Sequence, residues 1–360
     1  MAGRDDAAGR RECGSDMIAL IGKLRAGGDL SGFDVQEAAA FLLSDSIEAK
    51  TKADFLTALH EKGESASEIA AFVRVLLDRA VPLDIDGVQG PVIDVCGTGG
   101  DGVDLFNVST AVTFVLAAAG ATVVKHGNRR VTSQSGSADV LEALGIVIDL
   151  EPDDLRECIK RIGCGFVYAR TYHPAFRALA EMRLRLARKQ QRTIFNLLGP
   201  LLNPARPKRQ LIGVFSPHLT TLFAEVLRQL GCERAWVVSG TAVDPLVLDD
   251  ISTIGPTSVA ELDRGKITSA VLDTRWLGIP QATLSELMGG DAERNAETIT
   301  QILSGAQTGP KRDLVVANAA AGLVVAGLAN EMNTGIAMAR EEIDSGRALE
   351  KLKALQNYRP

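Results

Sequence analysis

The stretch PVIDVCGTGGDGVDLFNVSTAVTFVLAAAG, Pro91–Gly120, constrains the fold more than any other part of the chain. A short β-branched run, a glycine-rich loop and a long apolar helical pattern follow one another, and a second strand-like run, ATVVKHG, comes next. Strand, loop, helix and strand in that order are the unit of a parallel α/β sheet. The alternation continues through the helical pattern SADVLEALG, the apolar runs CGFVYA, QLIGVF and RAWVVSG, and the amphipathic segment HLTTLFAEVLRQLG. Residues 89–360 are therefore expected to form an α/β domain with a mostly parallel central sheet. Upstream, MIALIGKLRAG, DVQEAAAFLLSD, IEAKTKADFLTALHEKG and SEIAAFVRVLLDRA place apolar residues at i, i+3 and i+4. They predict a small all-helical domain over 17–88, and helices near 176–200 are candidates to rejoin it. Residues 1–16, charged and rich in Gly and Ala with no apolar core, read as a disordered lead rather than a signal peptide.

Composition removes several classes of function. A net charge of -6 and scarce aromatics, 4% of residues, argue against a nucleic-acid binder that relies on phosphate contacts or base stacking. The five cysteines, Cys13, Cys96, Cys158, Cys164 and Cys232, form no CxxC pair, which speaks against zinc sites and disulfide frameworks and suits a reducing cytoplasm. The apolar stretches 108–124 and 314–329 are shorter than the roughly 20 residues of a membrane span and carry polar or small residues, so both are expected as buried core helices.

The glycine loop satisfies G-x-G-x-x-G through Gly97, Gly99 and Gly102. A dinucleotide site would need an acid at the end of the next strand to hold the ribose hydroxyls. That strand ends in Lys125-His126, and the loop runs about ten residues before its helix, longer than a dinucleotide turn. No Gly-Lys-Ser/Thr closes a P-loop either. The two loops make sense together as an anion site. Glycines let backbone N–H groups form a concavity, and NVST (107–110) adds donors where a helix start favours negative charge. Lys125, Arg129, Arg130, Thr132, Ser133, Ser135 and Ser137 line the second loop. Such a pair suits a ligand with several phosphates. Asp249-Asp250, in DPLVLDDIS, is an adjacent acidic pair of the kind that holds Mg²⁺ together with substrate phosphates. Taken singly, these residues have plainer readings: a solvated Asp pair, a satisfied loop histidine at His126, a helix cap at His173 and a surface arginine at Arg183.

In combination, DVCGTGGDG, FNVSTA, KHGNR with SGSADVLEALG, YHPAFR, RTIFNLLGPLLNP, LDDIS and NAAAGLVVAG resemble the anthranilate phosphoribosyltransferase family, from the helical region to the C-terminus. The pyrimidine nucleoside phosphorylases share that fold but carry a different lysine-serine phosphate motif. The resemblance implies a nucleoside phosphorylase/phosphoribosyltransferase-like fold, Mg²⁺ as cofactor, and a homodimer formed through the helical domain. It implies a cytoplasmic enzyme of tryptophan biosynthesis with no nucleic-acid or membrane partner. Phosphoribosyl pyrophosphate would be bound by Gly97, Gly100, Asp101, Asn107, Val108, Ser109, Thr110, Lys125, His126, Gly127, Asn128, Arg129, Arg130, Val131, Thr132, Ser133 and Ser137. Ser109, Asp249 and Asp250 would hold the metal. Gly97, Asn128 and Arg183 would face anthranilate, with His126 and His173 lining its path. No residue is required as a strong general base, and Lys125 and Asp101 would act electrostatically.

The chain departs from the family pattern at three places. Leu105 stands where a Thr is usual, and Asp250 replaces a Glu. MRLRLARKQQR replaces a run of the form Val-Arg-Arg-x-Leu-Gly-x-Arg. Counting from His173 puts the acceptor arginine at Arg183, whereas counting back from Arg192 lands on Leu186; a three-residue insertion reconciles the two. The alternatives left open are a phosphoribosyltransferase for another aromatic acceptor and a non-catalytic binding paralogue.

Overall fold

The computed structural model describes residues 16–360 apart from 130–133, 180, 181, 183–185, 187–190 and 244, with the backbone alone at Arg177. The expected disordered lead falls outside the described residues except for Asp16, which opens the first helix. The chain divides into two compact units, the described parts of Met1–Val81 with His173–Leu202, and Pro82–Tyr172 with Asn203–Pro360.

The first unit is helical. Helices α1 (16–25), α2 (Gly32–Leu43), α3 (Ala49–Lys62) and α4 (Ala66–Leu77) match the four amphipathic patterns, and a 3₁₀ turn (Pro174–Leu179) packs on α2. Helix starts are fixed by capping boxes, in which Ser31 pairs with Asp34 and Ser65 with Glu68. Glu68 also reaches beyond its own helix. It is buried, and its carboxylate accepts from the backbone N–H of Leu30 at 2.9 Å and from Lys62 Nζ at 2.6 Å, so its charge is compensated inside the unit. Phe55, Leu56, Leu59, Ile69, Phe72 and Val73 form the core. Gln191 donates to Thr57 Oγ1 at 2.6 Å, which ties the returning segment to α3.

The second unit is built on an eight-stranded sheet of order β3-β2-β1-β4-β5-β7-β8, with β6 on β5. The strands are β1 (Val92–Gly97), β2 (Thr122–Gly127), β3 (Cys164–Tyr168), β4 (Arg209–Gly213), β5 (Arg234–Thr241), β6 (Val247–Leu248), β7 (Thr257–Asp263) and β8 (Lys266–Leu272). The first five pair in parallel, and β6, β7 and β8 extend the sheet antiparallel. Residues 108–124, expected as one core helix, are a helix and the start of a strand: α5 (Val108–Ala118) stops at Gly120, whose φ of +96° only glycine adopts easily, and β2 follows. Helix α6 (Ser137–Ala143) follows the second loop, and α7 (Pro152–Ile162) leads into β3. The later helices are α8 (Leu219–Gln229), α9 (Ala292–Leu303), α10 (Pro310–Ala326), α11 (Met332–Asp344) and α12 (Arg347–Gln356). From Leu314 to Ala326, α10 is buried all round, as a helix with no polar face must be, and it packs against α5, α11 and the strands. Among the described residues, no helix is long and apolar enough to cross a membrane.

Candidate active site

Strands β1 and β4 are neighbours, yet the chain leaves β1 toward β2 on one side and leaves β4 toward β5 on the other. The order of the sheet reverses between them, and open α/β sheets bind ligands beyond the carboxyl ends of strands at such a point. Those ends are Gly97 and Gly213, in register with each other. Over them folds the loop carrying Asp249 and Asp250. A Cβ on Gly97 would lie 2.1 Å from Asp249 Oδ2, and one on Gly213 would lie 1.5 Å from the Asp249 carbonyl oxygen. The acidic pair therefore sits against bare backbone that any side chain would displace. Gly99 N–H donates to Asp249 Oδ2 at 2.8 Å, which binds the first glycine loop to the acidic loop. Thr98 N–H donates to Gly213 O at 2.9 Å, and Phe215 N–H to Thr98 Oγ1 at 3.1 Å.

The electrostatics are those of crowded acids around one buried cation. Burial, and then the neighbouring Asp249, raise Asp101 to about 7, and Asp101 and Asp249 share a side-chain hydrogen bond. Asp250 is pushed well above the ordinary carboxylate range by burial and by Asp249 and Asp101. Lys125, 3% exposed, donates from Nζ to Val95 O at 2.6 Å and to Ser109 Oγ at 3.0 Å, while burial pulls its own affinity for protons down. Beneath it, Asp94 is fully buried in β1 and raised to about 6, chiefly by desolvation. Its carboxylate accepts from His126 N–H at 3.2 Å and from Asn203 Nδ2 at 2.9 Å. A small cavity between the two strand ends is lined by Ser109, Asp249, Asp250 and Asn318 together with apolar residues of β1, β4, β5 and α5. Asn318, on α10, accepts from Ile251 N–H at 2.9 Å and donates to Ile251 O at 3.0 Å, so it grips the chain immediately after the acidic pair.

The second loop leaves β2 after Gly127. Arg129 turns away from the strand ends: its guanidinium pairs with Glu142 and Asp139 at α6 and donates to Tyr168 Oη at 2.9 Å. Ser137 Oγ donates to Asn128 O at 3.4 Å. Farther along, Ser135 Oγ donates to Asn107 Oδ1 at 3.1 Å and Asn107 Nδ2 to Ser135 O at 3.3 Å, joining the second loop to the start of α5.

The structure thus gathers Gly97, Gly100, Asp101, Asn107, Val108, Ser109, Lys125, Gly127, Asn128, Asp249 and Asp250 in one unit, on loops at the carboxyl ends of β1, β2 and β6. Thr110 stands in the first turn of α5. It is fully buried, its N–H donates to Asn107 O, and its hydroxyl lines an inner cavity with Lys125, Phe114 and Phe166. Arg129 is held by the carboxylates of α6. The His126 ring is buried. His173 belongs to the first unit, where it is buried and its Nε2 meets Leu202 O at 2.7 Å. Arg130, Val131, Thr132, Ser133 and Arg183 lie outside the described residues. Sequence reasoning missed Asp94, Asn203, Asn295 and Asn318. The available signal was a polar residue standing alone in an apolar strand or helix, as in PVIDVC and VVANAAAG.

Two glycine loops and an acidic pair gathered at the switch point of an α/β unit, accompanied by a helical unit, fit the architecture of a group-transfer enzyme. Residues 89–349 match the glycosyl transferase family a/b domain, and residues 18–80 its helical bundle domain. The anthranilate phosphoribosyltransferase of Petrotoga mobilis is 44% identical over 93% of this chain and 95% of its own length. Two solved structures are also similar. The anthranilate phosphoribosyltransferase of Thermus thermophilus has a TM-score of 0.85 at 38% identity, over 94% of this chain and 98% of that one. The Saccharomyces cerevisiae enzyme in complex with PRPP (phosphoribosyl pyrophosphate) and Mg has a TM-score of 0.84 at 25% identity, over 95% and 97%. The chain belongs to the anthranilate phosphoribosyltransferase family.

Proposed function

We propose that this chain transfers the 5-phosphoribosyl group of phosphoribosyl pyrophosphate to the amine of anthranilate, giving N-(5-phosphoribosyl)anthranilate and pyrophosphate, a step of tryptophan biosynthesis. The observation that carries the reading is the acidic pair pressed onto Gly97 and Gly213 beside the first glycine loop. The amine nitrogen forms a bond to C1′, the bond from C1′ to the pyrophosphate oxygen breaks, and the amine proton leaves to solvent. Anthranilate's amine is weakly basic and already neutral, so no strong base is needed. Difficulty lies in the charge of the leaving group, and fixed donors aimed at that charge lower the barrier.

The residues suit Mg²⁺. Carboxylate and hydroxyl oxygens are the donors that a hard cation takes, and the mutual repulsion of Asp101, Asp249 and Asp250 is what such a cation relieves. Among the described residues no group of three His, Cys, Asp or Glu side chains closes around a metal by itself. Ser109, Asp249 and Asp250 would hold it. When bound, it would neutralise the departing pyrophosphate. Lys125 offsets the acid charge of Asp94 and the acidic pair, and would neutralise phosphate charge of the bound ligand. The N–H groups of Gly100 and the start of α5 would cradle phosphate oxygens, and Gly97 and Asn128 would face the acceptor. A homodimer formed through the helical unit is part of the same reading; Ile18 and Phe33, 63% and 67% exposed, are apolar residues of that unit which such a contact would cover.

Loss of anthranilate fluorescence on adding phosphoribosyl pyrophosphate and Mg²⁺ tests the reading. Rapid loss is expected. Mg²⁺-dependent binding of phosphoribosyl pyrophosphate without any loss would favour a different aromatic acceptor instead.

A further inference from the structure

We propose that Asn295 is a positioning residue that locks the two ligand loops into one body. The inference rests on the function proposed above and deepens it. Asn295 lies in the first turns of α9, 1% exposed, far in sequence from either loop. Its Nδ2 donates to Ser135 Oγ at 2.7 Å, to Asn107 Oδ1 at 3.1 Å and to Gly290 O at 3.2 Å, and its Oδ1 accepts from Gly290 N–H at 2.9 Å. One carboxamide therefore touches the entry to α5, the second loop and the segment leading into its own helix.

Several neighbours repeat the connection. The segment before α9 presses on the first loop: Gly289 N–H donates to Asp104 O at 2.9 Å, and a Cβ on Gly289 would lie 2.6 Å from the Phe106 backbone nitrogen. Leu105 and Met288 form a β-bridge. Asp104 in turn accepts from Gln134 N–H at 3.1 Å. Residues 104–107, 134–135 and 288–295 are thus one polar cluster, with Asn295 as its buried centre.

The consequence concerns binding. A buried carboxamide is tolerated only when its partners are fixed, so these loops hold their spacing before the ligand arrives. A pyrophosphate end seated on one loop and a phosphoribosyl end on the other would then meet donors already in place, and the ordering cost of binding falls. Asn295 itself touches neither substrate.

The test uses the full chain with Asn295→Leu, Ser135→Ala and the double variant. Asn295→Leu is expected to raise the KM for phosphoribosyl pyrophosphate about tenfold or more, with kcat lowered less and the anthranilate KM changed under about twofold. Ser135→Ala is expected to act in the same direction, and the double variant to be no worse than Asn295→Leu alone, since both remove one connection. Amide exchange should quicken in residues 104–107 and 134–137 while β1 keeps its protection. Equal loss of protection everywhere, additive effects, or an unchanged KM would overturn the inference. If the wild-type chain consumes no anthranilate, the proposed function fails by itself, and the exchange pattern still decides the coupling of the loops.

Discussion

The two loops that build the site are held by opposite means. The first, from Gly97 to Asn107, is held by shape. Gly97, at its start, and Gly213 let the Asp249 carboxylate and backbone come closer than any Cβ allows, while at its far end Asp104 and Asn107 serve as partners for the second loop. The second is held by chemistry at its described ends, 128–129 and 134–137: Arg129 on Glu142, Asp139 and Tyr168, Ser135 on Asn107 and Asn295, Gln134 on Asp104. Adding a methyl group should break the first loop, whereas removing a donor should break the second.

The sharpest separation comes from two glycine substitutions. Gly213→Ala would drive Cβ to 1.5 Å from a backbone oxygen that cannot move without the whole acidic loop. A loss of about 3 kcal/mol or more is expected, at or beyond the usual range for overpacking, with activity abolished. Gly127→Ala opens the second loop but would meet only side chains, Ser137 Oγ at 2.3 Å and Phe166 Cε2 at 2.8 Å. These can turn aside, so a loss of roughly 1 kcal/mol is expected. Calorimetric melting of both variants compares them, and equal losses would erase the distinction.

A smaller effect tests the support that the two loops share. Asp94 lies under the first loop, on β1, and holds the end of β2 from which the second departs. Its pKa is raised from 3.8 to about 6, so its carboxyl binds a proton more tightly in the folded state than in the unfolded one. A contribution of this sign is fully present below the unfolded value and is lost as pH climbs through the folded one, by roughly 3 kcal/mol in all. Asp94→Asn removes that slope but leaves His126 N–H or Asn203 Nδ2 without an acceptor, which costs about 1–3 kcal/mol. The variant is therefore expected to be less stable than the wild type near pH 4, with the gap narrowing or reversing toward pH 7 in denaturant melts. A gap that stays constant with pH would contradict a raised pKa at Asp94.

Much of this was legible in the sequence because it rests on local rules. Period-3.6 patterns gave the four N-terminal helices, β-branched runs gave the parallel strands, and glycines between strand and helix marked the ligand loops. The acidic pair could be read as a metal site only in company with those loops, since its meaning depends on Gly97 and Gly213 facing it across the sheet. What stayed hidden is long-range: Asn203 on Asp94, Asn318 on Ile251, Asn295 on both loops, each pair separated by more than sixty residues or joined through a third segment. No periodicity announces a lone asparagine's partner. Arg129 and Thr110 show the same limit, because no local pattern in the sequence announces that Glu142 pairs with one or that the other is buried beside Lys125 and Phe166.

The most direct test of the site is calorimetric titration of phosphoribosyl pyrophosphate into the wild type and Asp249→Asn, each with and without Mg²⁺. The account requires wild-type binding that strengthens markedly with Mg²⁺, and an Asp249→Asn variant that keeps its fold but loses most of that Mg²⁺ gain, about tenfold or more. An Asp249→Asn protein that binds phosphoribosyl pyrophosphate with the same Mg²⁺ dependence as the wild type would contradict the placement of the cation, and with it the reading of the strand ends as the active site.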